Sequence, residues 1–459
     1  TLDALDSLLE TSFLKEEDTI YQEEPLEQAL VYMFVHPFTA TVLRESLSSA
    51  RRSALHRRAA DALRSRYADR LSPIAGRLFE HYRQAGQRQP AAHYAEMAGD
   101  YALTAASPAE AETFYQDALA LEPSAARYLG LSIAQTRSGS IEAARLALLE
   151  ALQRFTDQKD AQGILQAITY YFESYTLNSQ YREAIEWVER PEIQAYASII
   201  DPDVLSIMHS LVMAMKYRLA TPSQTLMEQE RINLSRLVRT TPNQAIALRV
   251  HLTLAIIFAE QGKWQEAIAA YRDFEHAAHA LRDIFQEVLA RNNVAYHTIL
   301  LGDLEAARQE IEAVLALVKT YALSAAHFYV YSTYGELFLA EKNWSEAERW
   351  LKRALAQVKQ RNDTQTQVAE VYAHLGRVAW GRGDLAAAAQ RLERASSMMH
   401  QFGTPFQQTQ IDLWLADLYS ISEKEDAART LLKRCEQVLE DSGWLELQRR
   451  AMQITQRLS

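Results

Sequence analysis

His276 and His279 lie one helical turn apart, the spacing at which two imidazoles share a metal ion. No third ligand accompanies them, and zinc sites take three or four, so surface or packing histidines are expected. Cys435 is the single cysteine, flanked by Lys433 and Arg434. Those cations would lower a thiol pKa if they pointed at it, but adjacent residues of a helix face apart, and a structural cysteine is expected. The pairs Glu16-Glu17 and Glu23-Glu24 have no apolar pocket around them to separate their pKa values and read as solvated loop acids. The sequence therefore offers no catalytic constellation, no metal site and no cofactor site, and a non-enzyme is expected. Its recognition chemistry is richer. Asn292, Tyr296, Tyr329, Ser332, Glu336 and Arg377 are spaced to share one wall, a mixture of aromatic surface and hydrogen-bonding groups that suits a polar ligand or an extended peptide. The alternative is internal: Glu336 and Arg377 form an interhelix ion pair and the tyrosines are packing.

These residues are positioned by a register of small residues about 40 apart, Ala144, Ala184, Ala267, Ala307, Ala347, Ala388 and Ala427, with Thr225 filling the one gap. Five positions before each of the alanines comes a turn residue: Gly139, Ser179, Gly262, Gly302, Lys342, Gly383 or Ser422. A second small residue stands seven before the turn, at Ala255, Ala295, Gly335 and Gly376, whereas Phe172 and Leu415 occupy that place in looser units. The unit is helix A, tight turn, helix B. One such pair cannot bury its apolar stripe alone, so stacked copies share a core and leave a concave surface. Helix A positions thirteen, ten, six and three before the turn line that surface, which also places Arg249, Leu252, Ile256, Leu289, Glu370, Ala373 and Trp380 there.

The composition fits an all-helical chain: 459 residues contain only 14 Gly and 11 Pro. One cysteine permits no internal disulfide, and no apolar stretch approaches the roughly 20 residues that span a bilayer, so a soluble cytoplasmic protein is expected. A net charge of -11 argues against the whole chain coating nucleic acid. The charge is uneven. Residues 1–43 carry nine acids against Lys15, whereas 44–88 carry eleven arginines against Glu45, Asp61, Asp69 and Glu80. The arginine run could touch DNA; otherwise it pairs with the acidic first segment or an adjacent nucleotide domain. Leu2 to Leu14 reads as a helix, followed by an acidic loop, a short strand at 30–35, and a new helix after His36-Pro37. This is part of a winged-helix-like module, and a start at Thr1 within such a pattern suggests an excised piece. The expected organisation is a partial winged-helix module at 1–70, a junction with the first hairpins at 71–122, repeats at 123–442 and a capping helix at 443–459.

Gly262-Lys-Trp-Gln-Glu-Ala267-Ile-Ala-Ala-Tyr271 and Gly302-Asp-Leu-Glu-Ala-Ala307 resemble tetratricopeptide repeats with longer helices than usual. The resemblance implies an all-α, right-handed α-solenoid. Phe34-Val-His36-Pro37-Phe-Thr-Ala-Thr-Val-Leu-Arg-Glu, then Arg51-Arg-Ser-Ala-Leu-His56-Arg-Arg-Ala-Ala-Asp-Ala-Leu63, Ala85-Gly86 and Ala98-Gly99-Asp100 are similar to the junction of winged helix and repeats in STAND-class signalling NTPases, including bacterial activators of the maltose-regulon type. That resemblance implies a sensor arm controlling an attached nucleotide-binding domain, with a peptide, protein or polar inducer in the groove. No Gly-x4-Gly-Lys-Ser/Thr phosphate loop occurs, and no helix-turn-helix follows the last repeat, so any nucleotide switch or promoter binding belongs to other parts of a parent protein. A constitutive protein-interaction scaffold and a DNA-binding regulator are the competing readings.

Overall fold

The computed structural model describes residues 2–17, 31–105, 107–176, 180–195, 212, 223–240, 244–321, 323–359, 365–422, 424–440 and 442–459. They divide into two compact units, 1–98 and 99–459.

The first unit opens with α1 (Leu2–Glu10) and a two-stranded antiparallel sheet, β1 (Leu14–Glu17) with β2 (Val31–Phe34), in which Leu14 faces Phe34 and Glu17 faces Val31. The helix read over residues 2–14 thus stops four residues early. Ser12 turns the chain with φ 57°, and Leu14 begins a strand whose two acids hid its extended character from a hydropathy pattern. Then come α2 (Pro37–Ser46), α3 (Ser49–Arg66), α4 (Ala75–Gln84) and the start of α5 (Arg88–Thr104). Leu78, Phe79 and Tyr82 of α4 are buried, and the Tyr82 hydroxyl donates to Asp61 of α3 at 3.0 Å. Arg51, Arg52, Arg57 and Arg58 of α3 are exposed, and among the described residues none of them forms an ion pair.

The second unit continues with α6 (Pro108–Leu121), α7 (Ala125–Ser138), α8 (Ile141–Gln158), α9 (Ala161–Thr176), α10 (Tyr181–Val188) and α11 (Pro191–Ala195). Beyond these lie α12 (Gln224–Thr240), α13 (Gln244–Glu260), α14 (Trp264–Ala280), α15 (Ile284–Leu301), α16 (Leu304–Thr320) and α17 (His327–Ala340). The last six are α18 (Trp344–Lys359), α19 (Gln365–Gly381), α20 (Leu385–Phe402), α21 (Pro405–Ser420), α22 (Glu425–Leu439) and α23 (Leu445–Leu458). No helix among the described residues is long and apolar enough to cross a membrane.

The turns explain the period. Gly302 is left-handed at φ 87°, its N–H and that of Asp303 close on the carbonyls of Ile299 and Thr298, and the Asp303 carboxylate then accepts from Ala306 N–H at 3.1 Å. A Gly-Asp dipeptide therefore ends helix A and caps helix B in two residues. Gly383-Asp384 repeats the device, and Lys342 adopts the left-handed angle without being glycine. Ala144, Ala184, Ala267, Ala307, Ala347 and Ala388 are fully buried. A Cβ on Gly335 would come within 2.6 Å of Leu351, which shows how closely helices A and B approach there.

Three register assignments change. Ala427 is exposed while Ala428 is buried, and Ala416 takes the small position of helix A in place of Leu415. The small-residue register of the last unit is therefore one residue later than expected, on Ala416 and Ala428. Thr225 is exposed near the start of α12, where Met227 is the buried residue. Ser179 and Thr221-Pro222 lie outside the described residues. In the cap, Trp444, Leu447, Ala451, Ile454 and Leu458 are buried, but Leu445 and Met452, expected on the apolar side, are exposed.

Helix A of one unit touches helix A of the next, as α15 does α17 and α17 does α19, with no comparable contact between B helices among the described residues. The A helices thus line the inner side. Segments far apart in sequence also abut: Arg137 pairs with Asp283 at 2.9 Å, the Ser324 hydroxyl donates to the Ser138 carbonyl at 2.9 Å, and Ser223 bridges Ser442.

Candidate functional site

The column six before the turn reads Tyr296, Glu336 and Arg377, and the one-residue shift of the last unit adds Asp417. Arg377 donates from one guanidinium nitrogen to both carboxylate oxygens of Glu336, at 2.9 and 3.0 Å, and His374 also contacts that carboxylate. Glu336 is 6% exposed. Burial by itself would raise its pKa, but the charge of Arg377 and the contact with His374 hold the carboxyl down at about 2. The Arg377 guanidinium also lies 4.7 Å from the centre of the Trp414 ring, which stands 5.6 Å from His374. From the cap, Arg450 and Arg457 both donate to Asp417, at 3.2 and 2.5 Å, so the column continues into α23.

Each expected site residue has a definite place. Asn292 on α15 is buried, and among the described residues its Oδ1 has no hydrogen-bond partner. Tyr296, one turn on, is half-buried; burial and then Glu336 push its hydroxyl pKa up. Tyr329 and Ser332 on α17 are half-buried, and Gln367 donates to the Tyr329 hydroxyl at 3.4 Å. The structure thus brings Tyr296, Glu336 and Arg377 together, and it adds His374, Trp414, Asp417 and Arg450. His374 and Trp414 sit nine before their turns, a column outside the four counted as inner, and Asp417 was hidden by the one-residue register error. Farther along, Arg249 pairs with Glu173, which also accepts from Gln286, so this inner position is occupied by its own ion pair.

The remaining candidates resolve simply. His279 faces Glu287 at 3.1 Å, and among the described residues no cluster of three metal-ligating groups occurs. Cys435 is buried, and burial pushes its thiol up to about 12. Ser396, His400 and Arg434 converge on buried Asp412 at 2.5, 2.8 and 2.6 Å. The serine donates to the carboxylate and not to the histidine, so no nucleophile is activated there; the group staples α20, α21 and α22.

His297 behaves differently from its neighbours on the wall. It lies among Trp264, Tyr271 and Tyr296, donates through Nδ1 to the Asn293 carbonyl at 2.7 Å, and burial lowers its pKa to about 4. The unfolded chain protonates this ring from pH 6.5 downward while the folded chain refuses the proton until about pH 4. Stability is therefore full above pH 6.5 and falls as pH drops through that window, by up to about 3 kcal/mol from this residue. Urea titrations at pH 7.5 and pH 4.5 should show a smaller difference in His297→Gln than in the parent.

Stacked helix pairs with buried alanines at the crossings and an inner wall of A helices define an all-α solenoid of tetratricopeptide type. Residues 327–400 match the tetratricopeptide repeat family. No curated protein matches the chain. Among solved structures, a Rap protein complexed with competence and sporulation factor is 14% identical, with a TM-score of 0.47, over 60% of this chain and 77% of that one. A signal transduction ATPase with numerous domains, a STAND protein with a tetratricopeptide repeat sensor from Pyrococcus horikoshii, is 17% identical with a TM-score of 0.43, over 87% of this chain and 58% of that one. BtubC from P. vanneervenii is 19% identical with a TM-score of 0.33, over 52% of this chain and 91% of that one.

Proposed function

We propose that the A-helix wall from Asn292 to Arg377 binds an extended peptide, a protein segment or a polar inducer, and that the repeats act as the sensor arm of a signalling NTPase. The observation that carries the binding reading is the buried Oδ1 of Asn292, left without a donor among the described residues in a wall that also holds Tyr296, Glu336 and Arg377. A buried acceptor without a partner is costly, and the backbone N–H of an extended peptide is the group that would satisfy it. The sensor role follows from the resemblance of residues 34–100 to the STAND junction. Occupancy of the wall would favour one arrangement of the arm over another and so shift the attached domain.

A displayed peptide library selected on the chain should yield sequences whose binding raises the melting temperature, by mass action. Asn292→Ala should weaken the selected peptide by about tenfold or more, the worth of one buried hydrogen bond. Binding unchanged in Asn292→Ala would remove the wall from the proposal. Arg51, Arg52, Arg57 and Arg58 of α3, exposed and without an ion pair among the described residues, support a second reading, a phosphate-backbone contact, and that reading requires binding of duplex DNA that falls steeply with salt.

A further inference from the structure

Helix α3 packs one face on α4 and turns the other to solvent. On the packed face the Ser53 hydroxyl donates to the Ala85 carbonyl at 2.8 Å, Nδ1 of His56 lies 3.0 Å from Nδ1 of His81, and Ala60 is fully buried. Arg51, Leu55 and Arg58 follow one another by four and three residues along the opposite face, and all three are exposed. Arg52 and Arg57 flank them.

The charge of this face is not balanced on its own helices. Helices α2 and α3 carry seven arginines against two acids, Glu45 and Asp61. Asp61 is engaged by the Tyr82 hydroxyl at 3.0 Å and by Arg64 at 3.7 Å, and Glu80 of α4 pairs with Arg83 at 2.8 Å. Glu45 is exposed on α2, and among the described residues Arg44, Arg51, Arg52, Arg57 and Arg58 form no ion pair with it or with any other acid. Apolar side chains stand in water on the same two helices. Phe38 is 80% exposed and Val42, one turn on, 59%. Only Leu47 and Ser48 separate α2 from α3, where exposed Leu55 lies between Arg51 and Arg58. Large apolar side chains rimmed by charge mark a docking surface.

We infer that the solvent face of α2 and α3 docks an acidic amphipathic helix of a partner protein, whose apolar stripe covers Phe38, Val42 and Leu55 and whose flanking carboxylates meet Arg51 and Arg58. A duplex would answer the arginines alone, because its phosphates leave the three apolar side chains in water. An acidic amphipathic helix answers both, with burial for affinity and complementary charge for orientation. Arginine and exposed aromatic side chains are also the types on which binding energy concentrates. The face belongs to the first compact unit, whereas the A-helix wall belongs to the second.

The probe is a labelled synthetic helix of about five turns, with leucine at every third or fourth position and glutamate on the flanks. Its fluorescence anisotropy should saturate on the full chain. Two control peptides keep the helix and change one property each: glutamine for every glutamate, and alanine for every leucine. Each should bind about tenfold or more weaker, and this comparison is made on the parent and depends on no variant. Arg51→Gln with Arg58→Gln, and separately Phe38→Ser, should each weaken the probe by about fivefold or more without moving the melting curve, as expected of exposed positions. Asn292→Ala on the A-helix wall should leave the probe's affinity unchanged. No saturation up to roughly 1 mM, a weak limit for any specific docking, would overturn the face. Equal binding of the alanine peptide would do so too, as would parental affinity in the double arginine variant. Duplex DNA that displaces the probe and binds Phe38→Ser as tightly as the parent would assign the arginines to phosphate instead.

Discussion

Ala347→Glu loses at least about 3 kcal/mol of stability, because the carboxylate is driven into a space that admits only a methyl group and finds no partner there. Ala347 is fully buried in the core shared by α16, α17, α18 and α19, among Leu337, Leu351 and Val371. Helices α17 and α18 meet so closely that even a Cβ at Gly335 would press on Leu351. The backbone therefore cannot open locally to let the new side chain escape without separating the two helices over several turns. In a stacked array that separation also uncovers the face presented to the next pair. The measurement is denaturant unfolding by far-UV circular dichroism. Ala427→Glu, at the exposed position one residue from the buried register, should lie within about 0.5 kcal/mol of the parent, as surface substitutions do. A matched loss at both positions would contradict the corrected register.

That pair of variants also shows where the fold was legible from sequence. Gly-Asp turns and buried alanines leave a residue-level signature, because a left-handed turn and a close helix crossing each admit few side chains. The period was readable wherever both occurred. It slipped at the last unit, where Ile421-Ser422 carries no glycine and two adjacent alanines, Ala427 and Ala428, compete for one position. It slipped again at Thr225, a small residue that begins a helix instead of crossing one. The strand at Leu14 was missed because Glu16 and Glu17 suppress any period-two pattern. The site was half legible. Columns counted back from the turn found Tyr296, Glu336 and Arg377, but the contacts of His374 and Trp414 depend on the angle between neighbouring A helices, which spacing alone does not encode. Arg450 and Asp417 meet across a cap whose register the sequence left open.

Arg377→Ala destabilises the chain by about 3 kcal/mol or more, and chiefly through the residue it leaves behind. Glu336 would remain buried with His374 as its main polar neighbour, and a buried charge without its counter-ion costs on the order of 3–5 kcal/mol. The sign of the pH dependence identifies the cause. In the parent, Glu336 titrates near 2 when folded and near 4.5 when unfolded, so its contribution is present above pH 4.5 and is lost as pH falls toward 2. Without Arg377, burial dominates and the folded pKa rises above the unfolded one. The variant should then gain stability relative to the parent as pH falls from 7 toward 4.5, because its folded state takes up the proton first. Replacing both partners, Glu336→Gln with Arg377→Met, removes the charge and keeps the volume. That double variant should return to within about 1.5 kcal/mol of the parent. It is also the proper background for testing the wall, since Tyr296→Ala combined with Arg377→Ala alone would confound lost binding with a strained core. If a selected peptide binds the folded Tyr296→Ala, Glu336→Gln, Arg377→Met chain as tightly as the parent, then the ion pair and its tyrosine serve packing, and the ligand is held elsewhere.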